Sequence, residues 1–282
     1  MLLKAALNSA IARLTAAQAG SPRLNAETLL MFALDCDRAY LFAHPERELT
    51  QQEQGRYQDA ISQRASGVPA QYITGHQEFW GMDLIVSPAV LIPRPETEHV
   101  IEAALELVNS RRASSACIVD VGTGSGCMAL ALAKELPQAE IHATDTSAAA
   151  LEIARANAAR HGLDSRIHFH QTDLLHGFEP GAFDLVVSNP PYVGESEEDQ
   201  VQLEVRKFEP RDAVFAGPTG LEVIGRLIPQ AHAALKPGGV LIMEISGTIA
   251  ESVKSLLANW SELRVLNDLQ AIPRVAVATR NL

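Results

Sequence analysis

The sequence predicts an α/β fold: a doubly wound, mostly parallel sheet that ends in an antiparallel hairpin and follows a small all-helical domain. Three observations carry this prediction. From about residue 96 onward, short apolar runs alternate with segments of helical period, the pattern of strands joined by covering helices. The first of these runs leads into a glycine-rich turn, "GTGSG", of the kind that joins a strand to a ligand-facing helix. The first 70 residues, in contrast, show helical periodicity and no strand-like run. At 282 residues the chain can bury one large core or two smaller ones.

In chain order, the opening helix carries Leu3, Leu7, Ile11 and Leu14 on one stripe, with Lys4 and Arg13 interrupting any apolar core, so it does not read as a signal peptide. A second helix is expected after Asn25 as cap, turning Leu29, Leu30 and Ala33 inward. A third starts at Thr50, where Glu53 completes a capping box, and runs to Arg64. "SGVPAQYITG" breaks the pattern, and "EFWGMDLIVSPAVLI" reads as a β-hairpin with Gly81 and Pro88 as turn signals. We therefore expect a helical domain over 1–70, a hairpin linker over 71–95 and an α/β domain over 96–282. "IPRPETE" is a rigid, charged lead-in to a helix capped near Thr97.

Strand "CIVDV", the helix "CMALALAKEL", strand "EIHATD" and the helix "SAAALEIARANAARHG" follow, then strands "RIHFHQTD" and "FDLVVSN". A helix near Leu221–Leu235, strand "VLIMEI", another helix and the strands "LRVLND" and "RVAVATR" complete the sheet. Val193–Thr219, with its acidic "GESEEDQ", has no clear periodicity and reads as a long loop that is either functional or simply solvated.

Composition narrows the function classes. A hydrophobic fraction of 47% and a charged fraction of 20% fit a soluble globular protein, and no run reaches the roughly 18 apolar residues of a membrane span. A cytoplasmic location is expected. The net charge of −11 argues against a surface that neutralises a long stretch of nucleic acid. Three separated cysteines, Cys36, Cys117 and Cys127, have no metal-like spacing, so reduced thiols and no metal are expected.

In "VDVGTGSG", Gly122, Gly124 and Gly126 let the backbone turn tightly and approach a ligand beside a helix N-terminus. The spacing is neither that of a dinucleotide fold nor of a P-loop, so no pyrophosphate reader is spelled out. Asp145 ends the second strand, where a carboxylate can accept from both ribose hydroxyls; the alternative is a plain helix cap, a role that Thr146 or Ser147 could also fill. At the end of the third strand, Asp173 can take an adenine amino group and Leu174 can wall its ring. Jointly these point to an adenosyl cofactor without a diphosphate, S-adenosylmethionine, leaving S-adenosylhomocysteine as product.

"SNPPYV" (Ser188–Val193) lies at the carboxyl end of the fourth strand. A planar NH₂ group is a poor nucleophile, and a site helps it by accepting both N–H hydrogens. The Asn189 side-chain oxygen and the Pro190 carbonyl are candidate acceptors, and Tyr192 can lie against the flat group. No His, Lys or Cys adjoins the motif in sequence, so direct in-line transfer is expected, with the proton lost afterwards to solvent or a loop carboxylate.

"DVGTGSG", "TDTS" and "SNPPYV" together resemble a class I S-adenosylmethionine-dependent methyltransferase that modifies amino groups. "GVPAQYITGHQEFWGMDLIVSPAVLIPRPETEHV" (Gly67–Val100) resembles the linker of the release factor glutamine methyltransferases, the PrmC/HemK family, and the helical N-terminus fits it too. The resemblance implies a Rossmann-like, seven-stranded sheet, a helical substrate-recognition domain and a monomer. The implied substrate is the glutamine side chain of the Gly-Gly-Gln loop in peptide chain release factors, methylated at N5. It carries the cofactor role onto Asp120, Gly122, Thr123, Gly124, Ser125, Gly126, Asp145, Asp173, Leu174 and Asn189. The substrate role falls on Asn189, Pro190, Pro191, Tyr192, Arg94 and Glu96, with Asn189, Pro190 and Tyr192 as the catalytic set.

Two departures stand out. Many relatives have an aromatic residue where Leu174 stands, and "AIPR" (Ala271–Arg274) replaces a Gly-Arg-Asp-Arg-like turn. A ribosomal-protein glutamine methyltransferase shares the Asn-Pro-Pro-Tyr motif, but "LIPRPETE" favours release factors. A nucleic-acid adenine methyltransferase is disfavoured by the acidic charge, and a non-catalytic cofactor sensor by the intact motif. The helical domain and the acidic Glu195–Asp199 segment are expected to dock the partner.

Overall fold

The N-terminal stripe forms a helix, α1 (Leu3–Ala16), which buries Leu3, Ala6, Ala10 and Leu14. The computed structural model describes residues 1–111 and 115–281. In it the chain divides into two compact units, Met1–His76 with Gln202–Phe208, and Gln77–Val201 with Glu209–Leu282.

In the first unit, α2 (Pro22–Leu34) buries Leu29, Leu30 and Ala33, but it starts three residues before the expected cap. Pro22 explains the shift, because its fixed φ and missing N–H suit the first helical position. Asn25 instead lies inside the first turn, and its Nδ2 donates back to the carbonyls of Gly20 and Ser21. A short α3 (Arg38–Ala43), unforeseen in the sequence, is capped by Asp37, whose Oδ1 accepts from the Tyr40 N–H at 2.7 Å. The Thr50–Glu53 box is reciprocal at the start of α4 (Gln51–Ala65). Buried Tyr57 on α4 donates its hydroxyl to the Ala26 carbonyl at 3.0 Å, tying α4 to α2. A fifth helix, α5 (Ala70–Thr74), occupies part of the stretch expected to be linker. Arg64, nearly buried, donates to Asn25 and the Val68 carbonyl and pairs with Glu204 at 2.7 Å.

The expected hairpin is β1 (His76–Phe79) paired with β2 (Met82–Ile85). Trp80 and Gly81 both have positive φ at its turn, as a tight two-residue hairpin requires. A single 3₁₀ turn (Pro95–Thr97) then leads into α6 (Glu98–Arg111). β3 (Cys117–Val121), α7 (Cys127–Glu135), β4 (Glu140–Asp145), α8 (Ala148–Arg160), β5 (Ile167–Gln171) and β6 (Phe183–Ser188) follow. After them come β7 (Val193–Gly194), α9 (Leu203–Phe208), α10 (Arg211–Val214) and β8 (Phe215–Gly217). The Val193–Thr219 stretch is therefore not a bare loop. Its elements are too short to show a period, and Gln202–Phe208 belongs to the first unit. The chain ends in α11 (Glu222–Ala234), β9 (Leu235–Glu244), α12 (Ala250–Leu256), β10 (Ser261–Asn267) and β11 (Pro273–Thr279).

Seven strands form one sheet in the order β10-β11-β9-β6-β3-β4-β5. All pairs are parallel except those of β11. Alternating side chains split the core in two. Ile118, Ile141, Leu185 and Ile242 pack with α6 and α7, while Val119, Val186, Leu241 and Met243 pack with α11 and α12. Strand order reverses between β3 and β6, so their carboxyl ends open a crevice. At the far end, the divergent "AIPR" turn is organised by Asp268, which accepts from the Gln270 and Ile272 N–H groups and from Arg274 Nε. No helix among the described residues is long and apolar enough to cross a membrane.

Candidate active site

The crevice at the strand reversal is a cleft of about 480 Å³ whose floor is the turn after β3. Gly122, Gly124 and Gly126 take φ of +74°, +54° and +82°, which side-chain-bearing residues rarely adopt. A Cβ at Gly122 or Gly124 would meet nothing within 4 Å, so these two leave open space over the turn. Gly126 serves packing: a Cβ there would lie 2.6 Å from Leu130 and 3.1 Å from Ala154 on α8. The turn is pinned to β4, since Gly122 and Thr123 donate to the Thr144 carbonyl and Gly124 donates to Asp145 Oδ2 at 2.9 Å.

Asp120 lies beneath this turn, fully buried. Its Oδ2 accepts from Thr123 Oγ1 at 2.7 Å and from the Ala129 N–H, while Oδ1 has no hydrogen-bond partner. Burial pushes its carboxyl up to about 7, against the downward pull of those two bonds. Thr123 and Ser125 are buried and line the cleft with Gly122 and Gly124. Cys127 also lines it, although the sequence motif has no neighbouring thiol; desolvation pushes that thiol up to about 12 and disfavours its thiolate.

The cap of α8 falls to Ser147 and not to Asp145. Ser147 Oγ caps α8 by accepting from the Ala150 N–H, whereas Asp145 faces the cleft and also accepts from the Ser147 N–H. Asp173 and Leu174 line the same cleft. Asp173 is already paired with Arg226 at 2.6 Å, a partner the sequence did not announce. Leu174 holds φ of +53°, a strained backbone for a side-chain-bearing residue.

Asn189 and Pro191 line the cleft, and Pro190 is buried. The expectation for Tyr192 needs revision. It does not line the cleft; its ring packs among the core residues under α11, and its hydroxyl donates to Glu244 Oε1 at 3.0 Å. Thr97 is likewise not a helix cap. Its Oγ1 donates to Glu244 Oε2 at 2.6 Å and accepts from Asn189 Nδ2 at 3.1 Å. Arg94 lines the cleft and pairs with buried Glu209, which also accepts from the Ile92 N–H at 3.0 Å. Glu96 is half-buried and does not line the cleft, but it lies close enough to Glu244 to raise that carboxyl. Thr97, Glu209, Arg226 and Glu244 were missed as site residues. Only Glu244 left a signal, a charged residue ending an otherwise apolar strand, "VLIME".

Residues 5–75 match the PrmC N-terminal domain and residues 102–207 the methyltransferase small domain. The release factor glutamine methyltransferase of Koribacter versatilis is 56% identical over 99% of this chain and 99% of its own. That of Moorella thermoacetica is 44% identical over 99% of both chains. Among solved structures, the hMettl16 catalytic domain aligns with TM-score 0.58 at 16% identity, covering 79% of this chain and 83% of its own. A methyltransferase from Pyrococcus furiosus aligns with TM-score 0.52 at 19% identity, covering 72% of this chain and 90% of its own. These structures share the fold, a class I methyltransferase sheet. With its full length matched at 56% identity, the chain belongs to the release factor glutamine methyltransferase family.

Proposed function

We propose that this chain transfers a methyl group from S-adenosylmethionine to the side-chain N5 of the glutamine in the Gly-Gly-Gln motif of peptide chain release factors. The observation that carries the proposal is Asn189 standing in the wall of the glycine-floored cleft, in a chain of this family.

The cleft fits the cofactor. Open space over Gly122 and Gly124 leaves room for its amino-acid end, and the partnerless Oδ1 belongs to the buried Asp120 carboxyl, whose ionised form a nearby cation would stabilise. Asp145 would accept from the ribose hydroxyls, and Asp173 and Leu174 would receive the adenine beside the Arg226 pair. Bound there, S-adenosylmethionine supplies a methyl group activated by a sulfonium. The chain's own part is to hold the amide. Asn189 Oδ1 and the Pro190 carbonyl accept its two N–H hydrogens and oppose the positive charge that develops on nitrogen. Pro191 shapes the wall, Tyr192 braces the motif from beneath, and Arg94 borders the substrate side. On transfer the nitrogen would gain the methyl carbon as the carbon–sulfur bond breaks, and its surplus proton would leave to solvent.

Incubation with radiolabelled S-adenosylmethionine and either a release factor or its Gln→Ala loop variant tests this. Label is expected on the first alone; equal label on both, or on neither, contradicts the proposal.

A further inference from the structure

Glu244 ends β9 at 2% exposure, and each of its oxygens accepts from a hydroxyl, Oε2 from Thr97 and Oε1 from Tyr192. An ionised carboxylate can only accept. Thr97 has one hydroxyl hydrogen, and at 2.6 Å that hydrogen belongs to Glu244. Toward Asn189, Thr97 is left with lone pairs alone, so it can only accept, and the Asn189 Nδ2 donates to it at 3.1 Å. A carboxamide carries its donor and acceptor on opposite arms. With Nδ2 committed to Thr97, Oδ1 is the arm turned away, toward the cleft that Asn189 lines.

The opposite setting fails on hydrogen count. With Oδ1 on Thr97, the hydroxyl would have to give its hydrogen to Asn189 and leave a buried carboxylate oxygen bare, at the full desolvation penalty of an unsatisfied charged group. It would also present an NH₂ to an incoming NH₂, donor against donor. We infer that Glu244, acting through Thr97, is the positioning residue that sets Asn189 with its oxygen toward the substrate, making the site selective for an amide nitrogen. The inference rests on the reading that Asn189 receives the glutamine amide. Because the second oxygen holds Tyr192, one buried carboxylate braces both ends of the Asn-Pro-Pro-Tyr motif.

Protonation of Glu244 would undo the setting, since a carboxylic acid donates at one oxygen and can release the Thr97 hydrogen to Asn189. Burial and Glu96 raise this carboxyl, while Thr97, Tyr192 and Arg274 lower it, with burial the largest influence. Cys127 also lies within electrostatic reach, and Arg94 and Arg274 act on the Tyr192 hydroxyl.

The test compares wild type, Thr97→Ser, Thr97→Val and Glu244→Gln at saturating S-adenosylmethionine with a release factor as substrate. Thr97→Ser keeps the hydroxyl and is expected to retain kcat. Thr97→Val keeps the shape and is expected to lose about tenfold to a hundredfold in kcat, with KM and cofactor Kd little changed. Glu244→Gln is expected to lack the acid limb of the wild-type kcat–pH profile, whatever its absolute rate. A wild-type kcat in Thr97→Val, an equal loss in Thr97→Ser, or an acid limb that persists in Glu244→Gln overturns the inference. Failure of the glutamine reading shows separately, as wild-type labelling that ignores the Gln→Ala substitution in the release factor. Even then the Asn189 amide reports on itself by NMR. Its Nδ2 protons should exchange slowly in wild type and Thr97→Ser and freely in Thr97→Val; equal exchange in all three refutes the positioning role.

Discussion

Asp120 is fully buried with one oxygen unpartnered, and its carboxyl rises to about 7 because water is excluded. The sign of its linkage follows from proton counts. Between the unfolded value near 3.8 and the folded value near 7, the folded chain holds a proton that the unfolded chain has lost. Stability from this group is therefore present at low pH and falls as pH rises through that window. A bound cation reverses the local preference by favouring the ionised form. S-adenosylmethionine should accordingly bind about tenfold more tightly at pH 8 than at pH 6, and Asp120→Asn should flatten the dependence. Calorimetric titration at the two pH values checks this; an equally steep dependence in Asp120→Asn would count against it. Asp120 and the glycines were legible because a contiguous motif states them. Thr97 and Glu244 were not, since Thr97 meets Asn189 across 92 residues and Glu244 meets Thr97 across 147, links that only the fold closes.

Among the elements, the turn between β3 and α7 is tightly constrained. Its last glycine is required twice, by φ of +82° and by the 2.6 Å approach that a Cβ would make to Leu130. Gly126→Ala should destabilise the chain by about 2–4 kcal/mol through positive-φ strain and overpacking together. Urea unfolding measures this, and a wild-type midpoint with unchanged slope would show that α7 and α8 can yield. Elements with strong signals were readable in advance, such as the capping box of α4 and the strand-turn-helix of β3 and α7. Short elements were not. Helices of four to six residues, such as α3, α9 and α10, complete too few turns for a period to emerge. Pro22 moved the start of α2 because a proline at the first helical position outranks a later Asn.

For the whole molecule, the parallel sheet makes a site from residues that the chain keeps far apart. The order reversal at β3 and β6 opens one crevice, and the glycine turn, Asp145, Asp173 and Asn189 all reach it from strand ends. This much was legible, because alternation of strands and helices dictates a doubly wound sheet and a motif at a strand's carboxyl end inherits its place. The clasp of Arg94 on Glu209 was invisible, being an ion pair across 115 residues. The proposed act of this crevice is delivery of a methyl group to a glutamine amide nitrogen. Its most direct test is fragment mass spectrometry of a release factor after incubation with the chain and S-adenosylmethionine. One added methyl group is expected, borne by the side-chain nitrogen of the Gly-Gly-Gln glutamine. A methyl group on any other residue, or an unmodified glutamine after full incubation, would contradict it.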